Sequence, residues 1–116
     1  MTFKTLSPII ARTIRHDKIW DLSPGDGEFQ SAIINNLTRK YNEFYGGYDP
    51  VDFSVEVDLN SVRKKRIAIK KPGETIYNRC YILELNMYGE KEAIKFAYDV
   101  GLGERNSMGF GMVMPV

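Results

Sequence analysis

A chain of 116 residues is enough for one compact domain with a real core, and 43% hydrophobic with 27% charged residues is the balance of an ordinary globular protein. A formal net charge of +1 excludes a strongly basic nucleic-acid binder taken as a whole, so any such role must rest on local clusters. One cysteine, Cys80, excludes an intrachain disulfide and fits a reducing cytoplasm. A lone His and a lone Cys offer no paired spacing for zinc, so neither a metal nor a cofactor is expected. With no apolar run of membrane-spanning length and no signal-peptide pattern, the expectation is a cytoplasmic protein without a membrane partner.

In chain order, residues 2 to 16 read as extended. Pro8 biases Ser7 toward β geometry, and Ile9, Ile10, Ala11, Thr13 and Ile14 supply strand content. Residues 17 to 25 read as a loop, with Trp20 and Leu22 covering an edge of the core. Ser23-Pro24 predicts a helix start, with Ser23 as N-cap and Asp26 completing a capping-box-like pair, or Asp26 as the cap itself. Phe29, Ile33, Leu37, Tyr41 and Phe44 then form an apolar stripe at helical spacing, ended by Gly46-Gly47.

Phe53, Val55, Val57 and Leu59 alternate with polar residues and predict a half-buried strand. Arg63-Lys64-Lys65-Arg66, Ile67-Ala68-Ile69 and Lys70-Lys71 follow, then a Pro72-Gly73 turn. Thr75 to Met87 predicts another strand, with Tyr77, Tyr81, Leu83, Leu85 and Met87 on one face and Asn78, Glu84 and Asn86 on the other. Residues 66–71 and 75–80 are expected to form a projecting hairpin arm. Glu90 to Val100 predicts a second helix through Ala93, Phe96, Ala97 and Val100, and Met112 to Val116 a last strand. Strand, helix, strand, strand, helix, strand implies an α+β, ferredoxin-like βαββαβ sandwich over residues 1–116, an antiparallel sheet with two helices on one face.

Between the second helix and the last strand lies Gly101-Leu102-Gly103-Glu104-Arg105-Asn106-Ser107-Met108-Gly109-Phe110-Gly111. Glycines at this density permit positive φ and close backbone approach, and successive N–H groups can cup an anion. Leu102 and Phe110 are expected to anchor the shoulders. Arg105, Asn106 and Ser107 are expected at the tip, against a phosphate backbone. A dinucleotide fingerprint needs strand before glycines and helix after, the reverse of the order here. A P-loop needs Lys-Ser/Thr where Met112-Val113 stands.

Phe3-Lys4-Thr5-Leu6-Ser7-Pro8-Ile9, Asn36-Leu37-Thr38-Arg39-Lys40-Tyr41 and the paired Gly101-Leu102-Gly103 and Gly109-Phe110-Gly111 triplets together resemble the C-terminal half of the CRISPR-associated endoribonucleases that cut precursor repeat RNA, within the repeat-associated (RAMP) superfamily. The resemblance covers essentially the whole chain. It implies two ferredoxin-like domains in tandem and metal-independent cutting by attack of a 2′-hydroxyl, with a histidine as general acid and base, commonly in the first domain. The chain is expected to correspond to the second domain, with the first half absent. By itself it is then expected to lack the catalytic histidine.

His16, the single histidine, is expected at the end of the first strand as a surface side chain rather than a catalyst. Arg63, Lys64, Lys65, Arg66, Lys70 and Lys71 are expected to track RNA phosphates, with the backbone of Gly101, Gly103, Gly109 and Gly111 and with Arg105, Asn106 and Ser107. Expected partners are CRISPR repeat RNA, the N-terminal domain, a larger effector complex and a second copy of the isolated domain. The competing readings are a non-catalytic RNA-binding subunit and a ferredoxin-like regulatory domain for a small metabolite.

Overall fold

Helical and alternating stripes of apolar residues have to meet on one surface, and they do so on a single sheet. The computed structural model describes residues 1–48 and 50–116, with the side chain of Lys71 left aside. Its strands are β1 (Thr2–Thr5), β2 (Arg12–Arg15), β3 (Lys18–Asp21), β4 (Phe53–Lys71), β5 (Glu74–Gly89) and β6 (Val113–Pro115). Its helices are α1 (Phe29–Tyr45) and α2 (Lys91–Val100). Among the described residues, β4-β5-β1-β6 form a four-stranded antiparallel sheet and β2-β3 a small separate one. With the small hairpin set aside, that order is the expected ferredoxin-like arrangement.

The main core joins Phe29, Ile33 and Leu37 of α1 and Ala93, Phe96 and Ala97 of α2 to Phe3, Val55, Val57, Leu83, Leu85, Met87 and Val113 of the sheet. Tyr81 meets Phe29 edge-on, ring centroids 6.2 Å apart. A second cluster of Ile10, Cys80 and Phe110, flanked by Ile67 and Ile69, sits at the root of the arm. Cys80 is fully buried, as expected of a small hydrophobe, and burial raises its thiol pKa.

The first strand is shorter than expected. β1 stops at Thr5, where the N–H groups of Leu6 and Ser7 both turn onto Met112 O; Pro8 has no N–H to resume the ladder, and Ile9 makes only an isolated bridge to Tyr81. Residues 17 to 25 hold a strand rather than only a loop. His16 and Asp17, at φ 50° and 62°, close a two-residue turn that pairs β2 with β3. His16 is therefore an exposed residue at a hairpin tip, not at a strand end in the main sheet. Leu22 is buried as expected, but Trp20 is 51% exposed because the hairpin stands off the core.

Ser23 and Asp26 make only half of a capping box and close a turn instead: Ser23 N–H donates to Asp26 Oδ2 at 2.8 Å, but Asp26 N–H donates to the Ser23 backbone O at 2.8 Å rather than to its hydroxyl. Gly25 and Gly27 then carry too little helix propensity to extend it, and α1 begins at Phe29. Its C-terminus is as expected, with Gly46 left-handed. Phe44, at the far end of the stripe, is 71% exposed.

The arm is present, with Arg66 opposite Arg79 and Lys70 opposite Thr75. β4 and β5 form one continuous hairpin interrupted by a bulge, where Asp58 pairs with Glu84 but Arg63 pairs with Ile82. Ser61 fixes the bulge, its Oγ donating to Asp58 O at 2.6 Å and accepting from Glu84 N–H at 2.8 Å. An odd number of extra residues on β4 exchanges the faces of everything beyond it. Leu59 consequently leaves the core and is exposed. On β5 the alternation continues, but the covered face changes past Tyr81: Asn78 and Cys80 are buried, whereas Tyr77 faces solvent, the reverse of the expected faces. The cause is the segment after Pro8, carrying Ile10, and the loop before β6, carrying Phe110, which together cover the opposite face of the arm from the one the helices cover.

Candidate nucleic-acid interface

The glycine-rich loop folds onto itself and onto the segment after Pro8. A Cβ at Gly103 would meet the carbonyl oxygen of Ile10, and one at Gly111 that of Leu102, and both residues have positive φ. Gly101, Leu102, Gly103, Phe110 and Gly111 are buried; Ser107, Met108 and Gly109 form the exposed rim. Leu102 N–H donates to Gly111 O at 2.9 Å, Glu104 N–H to Ile10 O at 2.8 Å, and Gly111 N–H to Pro8 O at 2.8 Å. This corrects the reading of those glycines as an open anion cup. Their missing side chains admit neighbouring protein backbone, and these N–H groups are already engaged. The two shoulders do anchor the loop, Leu102 in the main core and Phe110 in the second cluster.

Two side chains hold the loop's shape. Asn106 Nδ2 donates to Leu102 O at 3.0 Å and Phe110 O at 2.9 Å, bridging the shoulders, while its Oδ1 accepts from Lys40 Nζ at 2.7 Å. Lys40, on α1, also donates to Gly101 O and Gly103 O, each at 3.2 Å. Burial lowers the Lys40 pKa to about 8. The Glu104 charge opposes that shift and Arg39 adds to it. Asn106 was expected at the tip facing RNA; it instead faces the loop's own carbonyls. Arg105 is half-buried at φ 58°, and its Nη1 lies 3.5 Å from Met108 Sδ.

Beside the loop, Arg12, Asn35, Asn36, Arg39 and Glu104 line an open recess of about 290 Å³ between α1 and β2. Asn36 Nδ2 donates to Glu104 Oε1 at 3.2 Å there. Arg12 pairs with Asp21 through Nε–Oδ1 at 2.8 Å and donates to the buried Asn78 Oδ1 at 2.9 Å, tying the β2–β3 hairpin to the arm.

The basic run does not act as one cluster. Strand alternation past the bulge puts Lys64, Arg66 and Lys70 on one face of the arm and Arg63 and Lys65 on the other; the side chain of Lys71 lies outside the described residues. Tyr77 and Arg79 of β5 join the first face, where Lys64, Arg66, Tyr77, Arg79 and Asp21 line a cleft. Arg79 was missed because it stands alone in sequence, and only pairing with β4 reveals its neighbours. Lys40 was missed because a lysine flanking an apolar stripe reads as a solvated edge.

The family model described as CRISPR associated protein Cas6, C-terminal, matches residues 1–115. The chain belongs to the Cas6 family. It is 42% identical over 112 residues to the CRISPR-associated endoribonuclease Cas6 of Pyrococcus furiosus, covering 97% of this chain and 40% of that protein. A solved structure described as CRISPR associated protein Cas6 superposes with a TM-score of 0.85 at 41% identity, covering 99% of this chain and 48% of that one. Another, described as an RAMP protein binding different RNA substrates, gives a TM-score of 0.83 at 31% identity, covering 99% and 48%. The chain thus spans less than half the length of these Cas6 and RAMP relatives, and it corresponds to the Cas6 C-terminal half. In this Cas6 domain the glycine loop and the arm share one buried support, the Ile10–Cys80–Phe110 cluster.

Proposed function

We propose that this domain holds RNA for a CRISPR repeat-RNA endoribonuclease that cuts by 2′-hydroxyl attack without a metal. The observation that carries the reading is the match to the Cas6 C-terminal family over residues 1–115, among relatives named as endoribonucleases. The RAMP relative described as binding RNA supports the binding role. In this reading the exposed rim of the glycine loop (Ser107, Met108 and Gly109, with Arg105 behind it) and the cationic arm lie along the RNA backbone. The general acid and base come from the other half of the enzyme, since His16 sits on an exposed hairpin tip.

The test is a gel-shift and cleavage assay of this chain with repeat RNA in EDTA. Binding at low salt without cleavage is expected. Arg105→Ala should weaken binding alike for every repeat sequence and lower the salt slope by about one, the signature of a lost phosphate contact. Absence of RNA binding by this chain, and by a two-domain protein containing it, would overturn the reading. Cleavage by the chain alone that is lost in His16→Ala would overturn the division of labour.

A further inference from the structure

One face of the arm keeps a charge arrangement that is unfavourable on its own. Arg66 and Arg79 stand directly opposite one another on β4 and β5, and like charges at opposed positions repel. Lys64 shares their face and lines the same open cleft, of about 380 Å³. The carboxylate in that cleft is Asp21, whose Oδ1 is already engaged by Arg12. Among the described residues no ion pair neutralises Lys64, Arg66 or Arg79. Tyr77 stands beside them, 55% exposed, with the Arg66 guanidinium carbon 4.2 Å from its ring centroid.

An exposed aromatic ring next to uncompensated cations offers two things at once. The cations match phosphate oxygens, and the ring and the flat guanidinium are planes on which a base can stack. We propose that this face is a subsite for one unpaired ribonucleotide, its base stacked at Tyr77 and Arg66 and its phosphate held by Arg79 and Lys64. The proposal rests on the RNA-holding role above and names the kind of RNA that the arm takes. A nucleotide inside a duplex does not suit the site, because neighbouring pairs cover both faces of its base, and a blunt duplex offers a free face only at its two ends. A plain polyanion would satisfy the cations but add no second plane to the stack that Tyr77 and Arg66 already form.

The test measures binding of this chain to a single-stranded oligoribonucleotide carrying 2-aminopurine, to a blunt duplex of the same sequence, and to polyphosphate as a charge-only competitor. The wild type is expected to prefer the single strand and to quench the 2-aminopurine. Tyr77→Ala should weaken single-strand binding about 5- to 150-fold, the range of one lost base stack, and abolish the quench. Tyr77→Phe should keep both, because the ring and not the hydroxyl makes the stack, and an unchanged melting temperature of Tyr77→Ala excludes a folding defect. Arg79→Ala should lower affinity and reduce the salt slope by about one, whereas Arg79→Lys should keep the slope. If RNA binds but Tyr77→Ala and Arg79→Ala match the wild type, or duplex and polyphosphate bind as well as the single strand, the subsite is wrong and the RNA-holding role stands. If the wild type binds no RNA, both fall.

Discussion

Lys40 and Asn106 are the residues on which the glycine loop depends. Together their side chains occupy the carbonyls of Gly101, Leu102, Gly103 and Phe110, groups that would otherwise be turned inward without partners. Asn106→Ala should cost about 1–3 kcal/mol in denaturant unfolding, the cost of stranding buried polar groups. The Lys40 pKa of about 8 lies below its ordinary 10.5 because burial disfavours the charged form. Between those two values the unfolded chain holds the proton more firmly than the folded one, so stability rises with pH through that window. The contribution is complete above the unfolded value and lost as pH falls through about 8. The stability difference between wild type and Lys40→Met should therefore shift in favour of wild type from pH 7.5 to pH 10 by about the slope of one proton at most. A difference independent of pH would show that the ammonium titrates normally.

At the scale of elements, the glycine loop and the β4 bulge each decide which groups meet solvent. Gly111→Ala puts a Cβ against the Leu102 carbonyl at positive φ, so a loss of about 2 kcal/mol or outright unfolding is expected. Gly27→Ala, in open space on the turn before α1, should change stability by less than about 0.5 kcal/mol in the same assay. The bulge at Asp58–Arg63 sets the faces of the arm, so deleting Asn60 should turn Ile67 and Ile69 away from Ile10, Cys80 and Phe110. Hydrogen exchange should then show lost protection in residues 64–70 and 75–81, while β1 and the far end of β5 keep theirs.

For the whole molecule, cations with no ion pair among the described residues sit on one face of the arm while the net charge stays near zero. RNA affinity should accordingly fall steeply with salt yet respond weakly to charge changes on α2: Lys91→Gln should leave the titration unchanged, and Lys64→Gln should not. The sequence by itself determined the elements with strong periodicity or punctuation. These are the α1 and α2 stripes, the Gly46 stop, the Pro72-Gly73 turn of the arm and the paired glycine triplets, and with them the ferredoxin-like order and the resemblance to the Cas6 C-terminal half. All of these are local signals, because backbone geometry repeats every few residues and glycine and proline act where they stand. Only the tertiary structure decided that the glycines receive protein backbone, that Lys40 reaches across to the loop, that Arg79 joins Lys64 and Arg66, and that Asn78 is buried while Tyr77 is exposed. Each of these depends on which surface lies opposite a residue. That is fixed by strand register and by the side from which a distant segment covers the sheet, and neither is written in the residue's own neighbourhood.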